Sequence, residues 1–187
     1  METAERRWKT ISSRLALDEP WFQVRRDTVR LPSGKILDDY FVWVSGDIVL
    51  IVALTAENKI VLVRQYKHAT DKVMIELPTG FADGNEDPEK AAGRELVEET
   101  GYMGKKLELL AELSDNPTKQ VGTTSVWLAK NVEPESATNL DENEDIEVLL
   151  VELPKAVQMV LRGEIWATSS VAGILMAWEK LHQEANY

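Results

Sequence analysis

The sequence predicts an α+β fold, a sandwich of sheet and helices, and three observations carry that prediction. Alternating and continuous apolar runs separated by turn residues fill the stretch from position 21 to position 79. A single capped helix follows, then further strand-like runs, and two amphipathic helices close the chain. With 187 residues and 44% hydrophobic side chains, the chain is long enough to bury a full core.

Residues 4–15 mix Arg6, Arg7, Lys9 and Arg14 with Trp8, Ile11 and Leu15. That mixture predicts an amphipathic arm used for core packing or dimer contact rather than for a membrane. From Trp21 the run WFQVRRDTVRL alternates, and the turn Pro32-Ser33-Gly34-Lys35 leads into ILDDYFVWV, the pattern of a hairpin. DIVLIVALT, a turn at Glu57-Asn58-Lys59 and IVLVRQYK predict a second hairpin of buried strands. VMIELP is a further short strand. Asp87 suits an N-cap and Pro88 the first helical position, so a helix is expected from 88 to about 100. Gly101 stands where a left-handed residue ends such a helix. Strands are expected at 107–113, 123–129 and 146–153, and helices at 154–162 and 169–183.

Composition excludes several classes of function. A formal net charge of -11 does not fit a general nucleic-acid binder, which needs a basic stripe. The same charge means that a polyanionic substrate needs metal ions or local Arg and Lys to approach. With no cysteine, neither a disulfide framework nor a thiolate metal site is available. The N-terminal METAERRW lacks the apolar core of a signal peptide and no apolar run approaches spanning length, so a cytoplasmic protein is expected. There is no phosphate-binding glycine loop ending in Lys-Ser/Thr, no His-Glu-x-x-His and no serine nucleophile elbow. His68 and His182 are read as structural.

The helix at 88–100 carries Glu95, Glu98 and Glu99. Residues three and four apart share a helix face, so Glu95 meets both of the others there. Such like-charge pairs repel by a few tenths of a kcal/mol each, and a hard divalent cation reverses that balance. An acidic face alone is ordinarily a solvated surface. Here it forms part of a longer pattern, in which Gly80, Glu86, Arg94, Glu95, Glu98, Glu99 and Gly101 occupy the fixed positions of G-x5-E-x7-R-E-U-x-E-E-x-G-U. Leu96 and Tyr102 fill the two positions for a bulky apolar residue.

This stretch resembles the Nudix box, and the chain is identified by it as a member of the Nudix hydrolase superfamily. The resemblance implies a mixed sheet between helices, an α/β/α sandwich over residues 47–187, preceded by an arm and β-rich dimerisation region at 1–46. It implies hydrolysis of a diphosphate linkage with Mg²⁺, for which Mn²⁺ can substitute. Glu95 and Glu99, one turn apart, are then metal ligands, with the carbonyl of Thr79 completing a metal site. Glu98 is either a further ligand or an orienting group. Arg94 and Glu86 form an ion pair that locks loop to helix, and Gly80 lets backbone approach the metal.

Within the superfamily, the chain is similar to the ADP-ribose pyrophosphatase and nucleoside diphosphate sugar hydrolase branch. Pro117 lies fifteen residues beyond Tyr102, at that branch's marker position. The segment Asp141-Glu142-Asn143-Glu144-Asp145 resembles the acidic loop that supplies its catalytic base, so Glu142 or Glu144 is expected to deprotonate the attacking water. The β-rich N-terminal region with Trp21 matches its homodimerising, nucleobase-stacking part. Arg25, Arg26, Arg64 and Lys67 are candidate phosphate and ribose contacts. The strand motif departs from its relatives, ending Gln65-Tyr66-Lys67 instead of Gln-Tyr-Arg, which leaves a range of sugar nucleotides open. Other nucleoside diphosphate derivatives (dinucleoside polyphosphates, damaged nucleotides) form the alternative. A non-catalytic nucleotide-sensing domain is a further one, against which all box glutamates are present.

Overall fold

The computed structural model describes residues 6–140 and 145–185. The chain begins with β1 (Lys9–Glu19), β2 (Phe22–Arg30), β3 (Ile36–Val44), β4 (Ile48–Leu54) and β5 (Lys59–Lys67). Next come β6 (Lys72–Glu76), β7 (Thr79–Phe81), helix α1 (Pro88–Thr100), β8 (Tyr102–Met103) and β9 (Leu107–Leu113). It continues through β10 (Gln120–Val121), β11 (Thr124–Lys130), β12 (Glu133–Pro134), β13 (Glu147–Glu152), α2 (Leu153–Leu161) and α3 (Thr168–Ala185). These fall into two units: Met1–Gly46 with Ser114–Gly122, and Asp47–Leu113 with Thr123–Tyr187.

The first unit is a four-stranded sheet in the order β1-β2-β3-β10. Strands β2 and β3 form the expected hairpin, closed by Gly34 at φ 85, whose N–H donates to Leu31 O at 2.9 Å. From Lys9 the amphipathic arm is extended: Lys9↔Arg30 through Glu19↔Phe22 pair antiparallel, so hydrogen bonding to β2 decides its conformation. Core packing is not its role within the chain, because every residue of β1 is exposed. Trp8 instead meets the edge of Tyr40, 5.5 Å between ring centroids. The segment after β9 returns here, where Tyr40 Oη donates to Thr118 O at 2.5 Å and Gln120↔Trp43 pair in parallel.

The second unit is built on a mixed sheet, β13-β5-β4-β11-β9, with β6 beside β5 and β7 beside β4. Strands β4 and β11 are parallel, and the other pairs are antiparallel. The predicted β4–β5 hairpin is paired only near its turn, at Ala53↔Val61 and Leu54↔Ile60. Beyond that the strands separate, because β7 takes the edge of β4 and β6 takes the edge of β5. The fork holds Leu77-Pro78-Thr79 in the middle of the sheet.

Both faces of the sheet are covered, which is why β4 and β5 read as unbroken apolar runs. On one face Val49, Ile51, Ala53, Val61 and Trp127 pack against Ala91, Ala92 and Leu96 of α1. On the other, Leu50, Val52, Leu62, Leu77 and Val126 pack against Ala156, Ile174 and Ala177 of α2 and α3. This is the α/β/α layering that the sequence implied. Leu96 is fully buried, and its truncation to alanine is worth about 2–5 kcal/mol.

Candidate active site

Helix α1 is fixed at both ends by its own sequence. The Asp87 carboxylate accepts from the N–H groups of Glu89 at 2.9 Å and Lys90 at 3.4 Å. Gly101 adopts φ 73 and donates its N–H to Val97 O at 2.8 Å. With Ala91, Ala92 and Leu96 buried against the sheet, the helix cannot rotate. Its acidic residues are therefore held toward the loop before it and toward β7.

Arg94 is the hub of that acidic edge. Its Nε and Nη2 straddle Glu86, at 3.2 Å to Oε1 and 2.9 Å to Oε2, a two-point clamp between loop and helix. Nη2 also donates to Phe81 O at 3.1 Å, and Nη1 donates to Glu95 Oε1 and Glu98 Oε2, each at 2.8 Å. The hydrogen bond from Arg94, followed by that from the Asp83 N–H, holds the Glu86 carboxyl below the usual carboxylate range. The hydrogen bonds that it donates to Glu86, and then to Glu95 and Glu98, raise the affinity of the guanidinium for its proton against the opposing effect of burial.

The other two positions of interest meet β7. The N–H of Thr79 donates to Glu99 Oε2 at 3.0 Å, and Glu99 is buried. At the next residue, a Cβ on Gly80 would overlap the Glu95 carboxylate. The carboxylates of Glu95 and Glu99 thus reach adjacent residues of one strand, and only glycine leaves room for the first of them.

Among the described residues, no three His, Asp or Glu side chains converge as a ready-made cation site. The donor set nonetheless fits a hard divalent cation. Its side chains are carboxylates only, two of them converge on Thr79 and Gly80, and Gly80 leaves the room that the Glu95 carboxylate occupies. Arg94 neutralises part of the negative charge that such a cation would meet.

Of the substrate-contact candidates, Lys67 lies on the α1 side of the sheet and Arg64 on the opposite side, since the side chains of β5 alternate from Val61 onward. Lys67 Nζ is 2.8 Å from Glu76 Oε1, which also accepts from Gln65 Nε2 at 3.0 Å. Arg64 pairs with Glu147 at 2.8 Å. Trp21, Arg25 and Arg26 belong to the first unit. Trp21, at the turn between β1 and β2, is 96% exposed, while Arg25 pairs with Asp27 at 2.9 Å and Arg26 Nε donates to Asp38 O at 2.7 Å. Glu142 and Glu144 lie outside the described residues.

Sequence reasoning passed over Glu76, whose side chain joins Gln65 and Lys67 on the α1 face. It also passed over the Ala167-Thr168-Ser169-Ser170 start of α3. The hydroxyl put to use there is that of buried Ser170, which accepts from Leu77 N–H at 3.0 Å. Trp166 nearby receives the Lys72 ammonium over its ring at 4.9 Å. The signal in the sequence is three small polar residues, Thr168-Ser169-Ser170, and Gly173 in the otherwise apolar first half of the helix.

Comparison with known proteins gives the family. Residues 45–169 match the NUDIX domain, and residues 8–43 match the nucleoside diphosphate sugar hydrolase N-terminal domain. The chain belongs to the Nudix family. It is similar to the methanol dehydrogenase activator of Bacillus methanolicus, 32% identical over 167 residues, covering 89% of this chain and 90% of the relative. Similarity of the same extent, 32% over 167 residues with the same coverage, relates it to the ADP-ribose pyrophosphatase of Bacillus subtilis. In fold it resembles a crystal structure of an ADP compounds hydrolase, with a TM-score of 0.84 at 21% identity, covering 96% of this chain and 97% of that one.

Proposed function

We propose that this chain hydrolyses the diphosphate linkage of nucleoside diphosphate sugars, with ADP-ribose preferred, to a nucleoside monophosphate and a sugar phosphate. The observation that carries this reading is the convergence of Glu95 and Glu99 on Gly80 and Thr79, in a chain whose first unit matches the nucleoside diphosphate sugar hydrolase N-terminal domain. The similarity to an ADP-ribose pyrophosphatase supports the choice of substrate.

The residues that would hold the metal, Mg²⁺ with Mn²⁺ as substitute, are Glu95 and Glu99 with the Thr79 carbonyl, supported by Glu98. Bound there, the ion supplies neutralisation of the diphosphate oxygens and a more acidic water. Arg94 and Glu86 keep the loop and helix in register, so that Glu95 and Glu98 stay on the acidic edge. Lys67 offers a point charge on the same face of the sheet, where an arginine would offer a bidentate fork. Exposed Trp21 offers a stacking surface for a base. Arg25, Arg26 and Arg64 serve as local cations for phosphate or ribose, and Glu142 or Glu144 is the proposed base.

A homodimer formed through the first unit is part of this reading. Its support is the apolar surface of β1 and its flank, where Trp8, Ile11, Leu15 and Leu17 are all exposed. Light scattering that returned a monomer would remove any shared site. No helix among the described residues is long and apolar enough to cross a membrane.

The test is a panel of nucleotide sugars assayed with Mg²⁺ for released monophosphate. ADP-ribose and related diphosphate sugars should be split, Glu99→Gln should abolish turnover, and Glu142→Ala and Glu144→Ala should slow it. Turnover of dinucleoside polyphosphates alone would transfer the chain to another Nudix substrate class.

A further inference from the structure

Helix α3 touches the centre of the forked sheet through two features that lie outside the box. Ser170, 1% exposed, accepts at Oγ from the Leu77 N–H at 3.0 Å. On the same side of the helix, Gly173 sits so near the sheet that a Cβ would stand 2.9 Å from Leu77 Cδ1 and 3.0 Å from Leu50 Cδ2. Helix and strand are thus seated at close backbone approach, with a hydroxyl serving a buried amide.

From Leu77 the bonds continue toward the acidic edge. The Leu77 carbonyl accepts from Thr79 Oγ1 at 2.9 Å, and the Thr79 N–H donates to Glu99 Oε2 at 3.0 Å. Between them the Pro78 carbonyl is held by the Ile51 N–H at 3.0 Å, which fixes the segment to β4. Ser170 therefore stands at one end of a continuous run of hydrogen bonds whose other end is a box glutamate.

We infer that Ser170 is a positioning residue for metal binding, acting through Leu77 and Thr79 to set the place of the Glu99 carboxylate. A buried amide without an acceptor is unfavourable, so loss of the hydroxyl drives Leu77 to shift toward another partner. Thr79 follows Leu77 through the chain and through its own hydroxyl, and the Glu99 oxygen follows the Thr79 amide. Groups that orient a metal ligand from behind commonly change affinity by about 10–100-fold when removed. The inference rests on the assignment of Glu99 as a metal ligand.

The test titrates Mn²⁺ alone into the full chain, following free Mn²⁺ by its paramagnetic resonance signal, with far-UV circular dichroism to report the fold. Ser170→Ala should bind Mn²⁺ about tenfold more weakly than wild type with an unchanged dichroism spectrum. Thr79→Val, which deletes the middle link, should show the same loss, and Thr79→Ser, which keeps the hydroxyl, should restore affinity. Glu99→Gln serves as the reference for a lost ligand. Wild-type affinity in Ser170→Ala and Thr79→Val beside a defective Glu99→Gln would overturn the inference and leave the metal assignment standing. Wild-type affinity in Glu99→Gln would overturn the assignment and the inference together. Should Ser170→Ala fail to fold, the Thr79 pair decides: a weak valine and a normal serine variant uphold the relay, and two normal variants refute it.

Discussion

Gly80 on β7 lies so close to the carboxylate of Glu95 on α1 that a β-carbon at position 80 would occupy the space of that carboxylate. Gly80 is not among the residues with positive φ, so what requires glycine here is space rather than backbone conformation. Gly80→Ala should therefore push Glu95 aside at little cost to folding. Turnover should fall about 10–100-fold while the thermal midpoint moves by only a few degrees. Steady-state kinetics with a parallel melting curve checks both parts, and unimpaired turnover would remove Glu95 from the metal site.

Arg94 and Glu86 give a prediction about stability and its dependence on pH. Arg94→Lys keeps the charge but loses the fork over Glu86 and the donors to Glu95, Glu98 and Phe81. Because the pair is partly exposed, a small loss of stability is expected, read as a lower thermal midpoint. Glu86 has a folded-state pKa lowered from its ordinary 4.5, chiefly by the hydrogen bond from Arg94. Its contribution is therefore present above that value and lost as pH falls through the folded pKa. The difference in midpoint between wild type and Glu86→Gln should be largest at neutral pH and shrink below about pH 4.5. A difference that grows in acid would contradict the clamp.

Trp21 is almost wholly solvent-exposed, so its removal has little packing to lose. If it stacks on the base of the substrate, Trp21→Ala should raise KM by about 5- to 150-fold, corresponding to about 1–3 kcal/mol. The value of kcat and the melting curve should stay near those of wild type. A lowered midpoint with unchanged KM would make Trp21 structural.

Much of the second unit was legible because local rules and burial agree there. Asp87, Pro88 and Gly101 bound α1 by capping chemistry, and the continuous apolar runs of β4 and β5 marked buried strands. The two-residue strands β8, β10 and β12 carry no period and depend on distant partners, so no local signal marks them. The arm at 4–15 has charged and apolar residues in a pattern that fits several conformations, and pairing with β2 decided among them. At the site, the box residues were legible because their spacing is fixed by a helix and the loop before it. Ser170 and Glu76 were not, because each acts on a partner far away in sequence or on another strand. Similarly, Arg64 and Lys67 look equivalent in sequence, and only the pleat of β5 separates them to opposite faces.

The most direct test is a crystal of the protein grown with Mn²⁺ and a non-hydrolysable ADP-ribose analogue, measured for anomalous scattering. The account predicts manganese peaks against the Glu95 and Glu99 carboxylates, beside Thr79 and Gly80, with the diphosphate of the analogue on the same ions. An analogue bound with no manganese at those two glutamates would contradict it.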